Sequence, residues 1–401
     1  MKVLIVGNKF PNTSQVFLHN KTIELAKIGV MVYNLSAVRV NTAELKKTNN
    51  QHGVKIRAFN YRSTPNFGKN LFIGLIKDFK SLYQLSTICL KNRTLLVGLA
   101  NLRNNLSLLM LSRQVDVIHF EWNNQAAGFV EVLHYLDKPY IVSIRGRGIT
   151  SQPQTDETLR KNLRSVFNQA TLIHSISLDL VSYLVNYPHK ADRVRLINPA
   201  IDLAKVKHRN RRNWPEVRII TVAHYRWKKN LSVAILVIAK LIREGFDITY
   251  DLVGEGPDRE QLQFMITELK LSDHIFLHGA KPHDWVLECL TRTDIFFMPS
   301  IQEGFCNSVI EAQAAGLPCV VTDAEGLSEN VENGITGIVV HKFDSDEMLS
   351  ALKQLVQSEE LREKLGAAGR ERAIRNFEIK NQISQFDRLY NEAIDLYAKE
   401  G

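Results

Sequence analysis

The sequence predicts an α/β protein built from two doubly wound parallel-sheet domains. Three observations carry that prediction. Near-continuous Val, Ile and Leu runs alternate with helix-length segments through both halves, the pattern of strands covered on both faces. The 401 residues, 45% apolar and 23% charged, are more than one hydrophobic core normally holds. A polar, basic stretch bounded by prolines, NPAIDLAKVKHRNRRNWPEV (198–217), separates the halves and reads as a linker.

Taken in order, the first half offers strands at VLIVG (3–7), DVIHF (116–120) and YIVSI (140–144). The second half offers RIITVA (218–223), DITYDLVG (247–254), IFLHG (275–279), IFFMP (295–299) and PCVVTD (318–323). The split is expected near residue 205, giving domains over 1–205 and 206–380 and a terminal helix over 381–401 that packs back on the first domain. From about Glu347 onward the pattern is helical, with Glu359, Glu360, Arg362 and Glu363 interleaved with leucines. The opening apolar run is too short for a signal peptide, and no stretch of about 18 uncharged apolar residues predicts a spanning helix. Cys89, Cys289, Cys306 and Cys319 form no C-x-x-C pair and read as reduced thiols of a cytoplasmic protein.

The net charge of +9 is unevenly spread. Residues 1–200 hold 26 Lys and Arg against 11 Asp and Glu, and the remainder holds 25 against 31. A first half at +15 suits an anionic partner: nucleic acid, a phospholipid surface or a phosphorylated substrate. Within it, residues 66–114 are strongly apolar and carry Lys69, Lys77, Lys80, Lys91, Arg93, Arg103 and Arg113 against the acid Asp78. Such a segment reads either as interfacial amphipathic helices or as helices packed on the first sheet. Its aliphatic character argues against nucleic acid, which calls for basic residues interleaved with aromatics.

The candidate site is PSIQEGFCNSVIEAQAAGLPCVVTD (299–323). Open parallel sheets bind ligands beyond the carboxyl ends of their strands, where helix N-termini gather. Glu303 follows such a strand on a loop, and Glu311 lies about one turn into the next helix, which Asn307 or Ser308 is placed to cap and Gly316 to end. Backbone N–H groups of Gly304, Phe305, Cys306 and Asn307 would point outward, and each carboxylate accepts two hydroxyls, as a sugar or ribose presents. In VAHYRWKKN (222–230), Arg226 and Lys229 follow another strand end and Asn230 is placed to cap a helix. Asp344-Ser345-Asp346 reads as an N-cap, and no metal site is expected.

The 299–323 stretch resembles the P-S-x-x-E-G-F-x-x-x-x-x-E-A-x-A-x-G-x-P-V-V signature of retaining nucleotide-sugar glycosyltransferases, family four, whose fold is GT-B with two Rossmann-like domains. DLVGEGPDREQL (251–262), HGAKPHDWV, LINPAID (196–202) and NKFPNTSQVFLHNKTIELAKIG resemble further segments of that family. The resemblance implies that Glu303 binds donor-sugar hydroxyls, that Glu311 binds the ribose, that the Gly304–Asn307 N–H groups and Ser308 line the donor, and that Lys229 stabilises the departing diphosphate. Preorganised cations favour that charge most. Against the family's G-R-L-x-x-x-K-G, His224 stands at the arginine and Arg226 two residues on. In DVIHFEWN (116–123), Glu121 replaces the second histidine of D-x-x-H-x-H while His119 keeps the first. In VSIRGRGI (142–149), Arg145 replaces a histidine and Gly148 an aspartate. Ala324-Glu325-Gly326 replaces a double glycine.

The implied activity is transfer of a sugar from a UDP- or GDP-sugar, with retention and without a metal or other cofactor, to a saccharide acceptor on the first domain. Similarity to enzymes of exopolysaccharide, capsule and O-antigen synthesis, with the basic first half, implies a polyprenyl-diphosphate-linked acceptor and peripheral contact with the inner membrane face. No nucleic-acid partner is expected. The alternatives are a nucleotide-sugar epimerase on the same fold, which needs no acceptor, and a nonenzymatic sugar-nucleotide or nucleic-acid binding module.

Overall fold

A computed structural model describes residues 1–7, 10–11, 16–38, 40–60, 95–209 and 216–400. Most of the basic apolar segment 66–114, with Lys69, Lys77, Asp78, Lys80, Lys91 and Arg93, lies outside them, as do 210–215 of the linker and much of the NKFPNTSQ motif. The chain divides into two compact units. One comprises Met1–Ile176, Leu180–Ile197 and Ile383–Gly401, the other Ser177–Asp179 and Asn198–Gln382.

The first unit holds a seven-stranded parallel sheet in the order β3-β2-β1-β4-β5-β6-β7. Its strands are β1 (Lys2–Gly7), β2 (Met31–Ser36), β3 (Arg57–Asn60), β4 (Val117–Phe120), β5 (Tyr140–Ile144), β6 (Leu172–Ser175) and β7 (Val194–Leu196). The second unit repeats the plan with six parallel strands ordered β10-β9-β8-β11-β12-β13. These are β8 (Val217–Val222), β9 (Ile248–Val253), β10 (Ile275–Gly279), β11 (Ile295–Met298), β12 (Cys319–Thr322) and β13 (Gly337–Val340). Eight of these thirteen strands are the ones the apolar runs predict. The others are weak in sequence for physical reasons: β3, β7 and β13 are short edge strands, while β2 and β6 carry Asn34, Ser36, His174 and Ser175 inside the sheet.

The central strands are dry. Val3, Leu4, Val117, Ile118 and Ile141 in one unit, and Ile219, Tyr250, Phe297 and Val320 in the other, have almost no exposed surface. Helices such as Leu231–Arg243 and Ser345–Gln357 supply the covering apolar faces. Asp344 caps the latter through the N–H groups of Asp346 and Glu347, the role expected of this D-x-D. Among the described residues no helix is long and apolar enough to cross a membrane.

In each sheet the winding reverses between neighbouring central strands, β1 and β4 in one and β8 and β11 in the other. Loops leaving the carboxyl ends there diverge and open a crevice. The loop after β8 carries His224, Arg226 and Lys229, and the loop after β11 carries Glu303 and Gly304.

Candidate functional site

Three contacts bring the two second-unit loops together, and Asn330 and Gly326 brace the second of them. The N–H of Ile301 donates to the carbonyl of Lys228 at 2.8 Å, joining loop to loop. The ammonium of Lys229 is paired with Glu303 Oε2. The hydroxyl of Ser308, in the first turn of the helix Asn307–Ala315, donates to the carbonyl of Val222 at the end of β8, 3.0 Å away. Asn330 grips the backbone of Cys306 from both sides, accepting its N–H at 3.0 Å and donating to its carbonyl at 3.2 Å. Gly326 lies so close beneath the loop that a Cβ there would stand 1.9 Å from the Gly304 carbonyl oxygen.

The Lys229–Glu303 pair is mostly screened from solvent, with 11% and 14% of the two side chains exposed. Burial opposes the charge on Lys229, but the Glu303 carboxylate outweighs it and holds the ammonium above the ordinary lysine range. Burial pushes the nearby Cys306 thiol up, so this cysteine is a packed neutral group and not a thiolate. Phe305 is buried edge-on against Phe377, with ring centroids 5.8 Å apart.

Several expectations are corrected here. Neither Asn307 nor Ser308 is the N-cap: that position is Cys306, which makes no side-chain cap bond, and Ser308 spends its hydroxyl on Val222. The N–H of Cys306 is spent on Asn330. Those of Gly304, Phe305 and Asn307 carry no partner among the described residues. Asn230 occupies the N-cap position of the helix Leu231–Arg243 but in a left-handed conformation (φ 55°) with no side-chain cap bond. Arg226 is exposed, and His224 is exposed with its Nδ1 3.4 Å from the carbonyl of Glu255. That carbonyl belongs to the Gly254-Glu255-Gly256 turn, where a Cβ on Gly254 would meet the Ala223 carbonyl at 1.8 Å. The glycine pair is thus explained by close backbone approach to the His224 loop.

Glu311 does not stand alone. His283 Nε2 lies 2.8 Å from Glu311 Oε1, and this hydrogen bond lifts the imidazole above its ordinary range although burial opposes it. Sequence reasoning passed over His283, Asn330 and Lys21. A histidine opening a helix and an asparagine 24 residues from its partner leave no periodic signal. Glu325, where the family pattern has glycine, adopts φ 45°, a region that favours glycine.

The first unit places its candidates differently. Glu121 is buried between Lys21 and Arg145: Oε1 is paired with Lys21, and Oε2 accepts from Arg145 Nη2 at 2.7 Å. Burial alone would raise the Glu121 carboxyl, but Lys21 and Arg145 hold it well below the usual carboxylate range. Burial, aided by Arg145, brings Lys21 down to about 8 against the pull of Glu121. The Arg145 guanidinium also donates through Nε to the Glu121 carbonyl at 3.0 Å and lies over the rings of Phe17 and Trp122. His119 is wholly buried, with Nδ1 2.9 Å from the Tyr390 hydroxyl and Nε2 2.7 Å from Ser143 Oγ. Ser143 Oγ reaches His174 Nδ1 at 2.7 Å, and His174 Nε2 reaches the Ile197 carbonyl at 2.9 Å.

Burial pushes His119 well below its ordinary value and His174 to about 3, so both rings are neutral. Because a carbonyl only accepts, His174 Nε2 is its protonated nitrogen, and the chain then runs one way: Tyr390 O–H to His119, His119 to Ser143, Ser143 to His174, His174 to Ile197. His119 and Glu121 are therefore internal groups whose ring nitrogens and carboxylate oxygens are bonded inside the unit, and Arg145 is turned onto Glu121 through Nε and Nη2. Arg147 is exposed.

Residues 205–372 match the model of the family described as glycosyl transferases group 1. Over this domain the chain is similar to the group 1 glycosyl transferases. The domain spans both loops of the second-unit site. Among curated relatives, the amylovoran biosynthesis glycosyltransferase AmsK of Erwinia amylovora is 28% identical over 253 residues, 61% of this chain and 62% of the relative. The N-acetyl-α-D-glucosaminyl L-malate synthase of Bacillus anthracis is 23% identical over 63% of this chain and 68% of its own. The match to AmsK thus covers less than two thirds of that enzyme's length. Among solved structures, Anabaena HepE in complex with UDP and glucose has a TM-score of 0.74 at 16% identity, covering 97% of this chain and 98% of its own. Sucrose-phosphate synthase of Thermosynechococcus elongatus has a TM-score of 0.75 at 16% identity, with 98% of each chain covered. At such identities the likeness shows the fold, which is GT-B.

Proposed function

We propose that the chain is a retaining glycosyltransferase of bacterial surface-polysaccharide synthesis that takes its sugar from a UDP- or GDP-sugar. The observation that carries this reading is the Lys229–Glu303 pair at the crevice between β8 and β11, with Glu311 on the helix that follows. The relatives support it. One is named for amylovoran biosynthesis, and one structural neighbour holds UDP and glucose.

In this reading Lys229 and Glu303 serve opposite ends of the donor's reacting bond. The ammonium meets the diphosphate, where negative charge grows as the glycosidic bond breaks, and the carboxylate accepts sugar hydroxyls. While no donor is bound, each neutralises the other, so neither is left as an unpaired charge out of water. The N–H groups of Gly304, Phe305 and Asn307 supply further donors to the sugar and phosphates. Arg226, exposed beside Lys229, is the second cation for the diphosphate, and no metal is required. Retention follows if the leaving phosphate oxygen accepts the acceptor hydroxyl's proton on the same face. The acceptor is a lipid-linked saccharide handled by the basic first unit at the inner membrane face.

The test is a binding and hydrolysis screen of UDP-, GDP-, ADP- and TDP-sugars by NMR with EDTA present, using the parent, Glu311→Ala and Lys229→Ala. One donor class is expected to bind selectively, with binding lost in Glu311→Ala and donor hydrolysis reduced about 10²–10³-fold in Lys229→Ala. Variants that behave like the parent overturn the site, and a requirement for a divalent ion overturns the metal-free reading.

A further inference from the structure

We propose that His283 positions Glu311 for the nucleotide ribose and makes donor binding depend on pH through its own proton. The inference rests on the donor reading above. Its geometric basis is the 2.8 Å contact between His283 Nε2 and Glu311 Oε1. The two residues come from different helices of the second unit, His283–Leu290 and Asn307–Ala315.

A carboxylate free to rotate offers a diol many orientations. One whose Oε1 is held by an imidazole N–H offers Oε2 in a fixed direction, which lowers the ordering cost of binding. Glu311 is shielded, with 12% of its side chain exposed, whereas His283 is 29% exposed and exchanges its proton with solvent.

Four groups act on that proton. Glu311 and Asp284 favour it, Lys205 from the turn Leu203–Lys205 opposes it, and so does the positive end of the helix that His283 begins. Glu311 dominates and the imidazolium is favoured. A cation here draws a nucleoside diphosphate and keeps the Glu311 carboxylate ionised. As pH rises through the His283 titration that cation disappears, and only the neutral N–H bond to Glu311 is left.

The experiment measures binding of UDP and GDP alone by calorimetry from pH 5.5 to 9 for the parent, His283→Gln and His283→Ala. Glutamine keeps an N–H donor but cannot titrate, and the phosphate's own titration is common to all three proteins. The parent-to-Gln affinity ratio is expected to fall several-fold from pH 6 to pH 9. His283→Ala is expected to lose about tenfold at pH 6, equivalent to about 1.4 kcal/mol. In NMR titrations the His283 ring should move back toward its ordinary value in Glu311→Gln. A flat parent-to-Gln ratio, or His283→Ala binding like the parent, overturns this inference alone. A parent that binds neither nucleotide overturns the donor reading and this inference with it. Loss of the fold in His283→Ala is read separately by circular dichroism, and His283→Gln then decides.

Discussion

The two units wind their sheets alike, yet they spend their charges in opposite ways. In the first, Lys21, Glu121 and Arg145 are sealed, with 3%, 1% and 5% of their side chains exposed, and both Glu121 oxygens are occupied. In the second, Lys229–Glu303 and His283–Glu311 are partly open and leave carboxylate oxygens and backbone N–H groups without a partner among the described residues. Charges of the first kind fix structure, because removing one strands the others away from water. Charges of the second kind can be exchanged for a ligand's.

The comparison is broken most directly at Glu121. Glu121→Ala leaves Lys21 and Arg145 as facing buried cations and is expected to cost about 3–5 kcal/mol, read as a lowered urea midpoint. Nucleoside diphosphate binding by the folded fraction should change little. If binding is lost while the midpoint holds, Glu121 belongs with the second kind.

A smaller effect is expected at Gly326. The added methyl of Gly326→Ala would press on the Gly304 carbonyl, displacing the Glu303 loop at about 1–3 kcal/mol. Because that loop carries the donor contacts, affinity for the donor nucleotide should fall together with stability. An Ala variant that binds like the parent would show that the loop is held from elsewhere.

The smallest effect is the pH dependence of stability from His283. Its folded value is raised, so its contribution is fully present below the ordinary histidine value near 6.5 and is lost as pH rises through the higher folded value. The stability difference between the parent and His283→Gln should shrink over that window and be flat above it. A difference that grows with pH would reverse the assignment of the proton.

The sequence made the second unit legible because its site is local. Glu303, Gly304 and Glu311 lie on one strand–loop–helix, and the glycines flanking them mark the turns. Lys229 was readable because it stands at the lysine of the family pattern G-R-L-x-x-x-K-G. What escaped was contact between distant segments. Lys21 sits in KTIELAK, which reads as an ordinary amphipathic helix, and only the fold brings it to Glu121, 100 residues away. The same holds for His283, and for Asn330, whose amide looks like any loop asparagine until it is seen holding Cys306. Arg145 and Glu121 stand where the family pattern has histidines, and nothing in the sequence shows the mutual pairing that turns both inward.

The last helix, Ile379–Glu400, starts in the second unit and ends in the first, where Tyr390 bonds His119, Lys21 lies over the Phe386 ring, and Arg195 pairs with Glu392. A ribosome therefore releases the first sheet long before the residues that complete it. Through the synthesis of nearly 200 further residues, the nascent first unit has His119 and Glu121 in place but lacks Tyr390 and Phe386. During that interval the growing chain is most open to chaperones and proteases, and a stop codon just after Gln382, where the second unit ends, would harm the amino-terminal sheet more than the unit it closes.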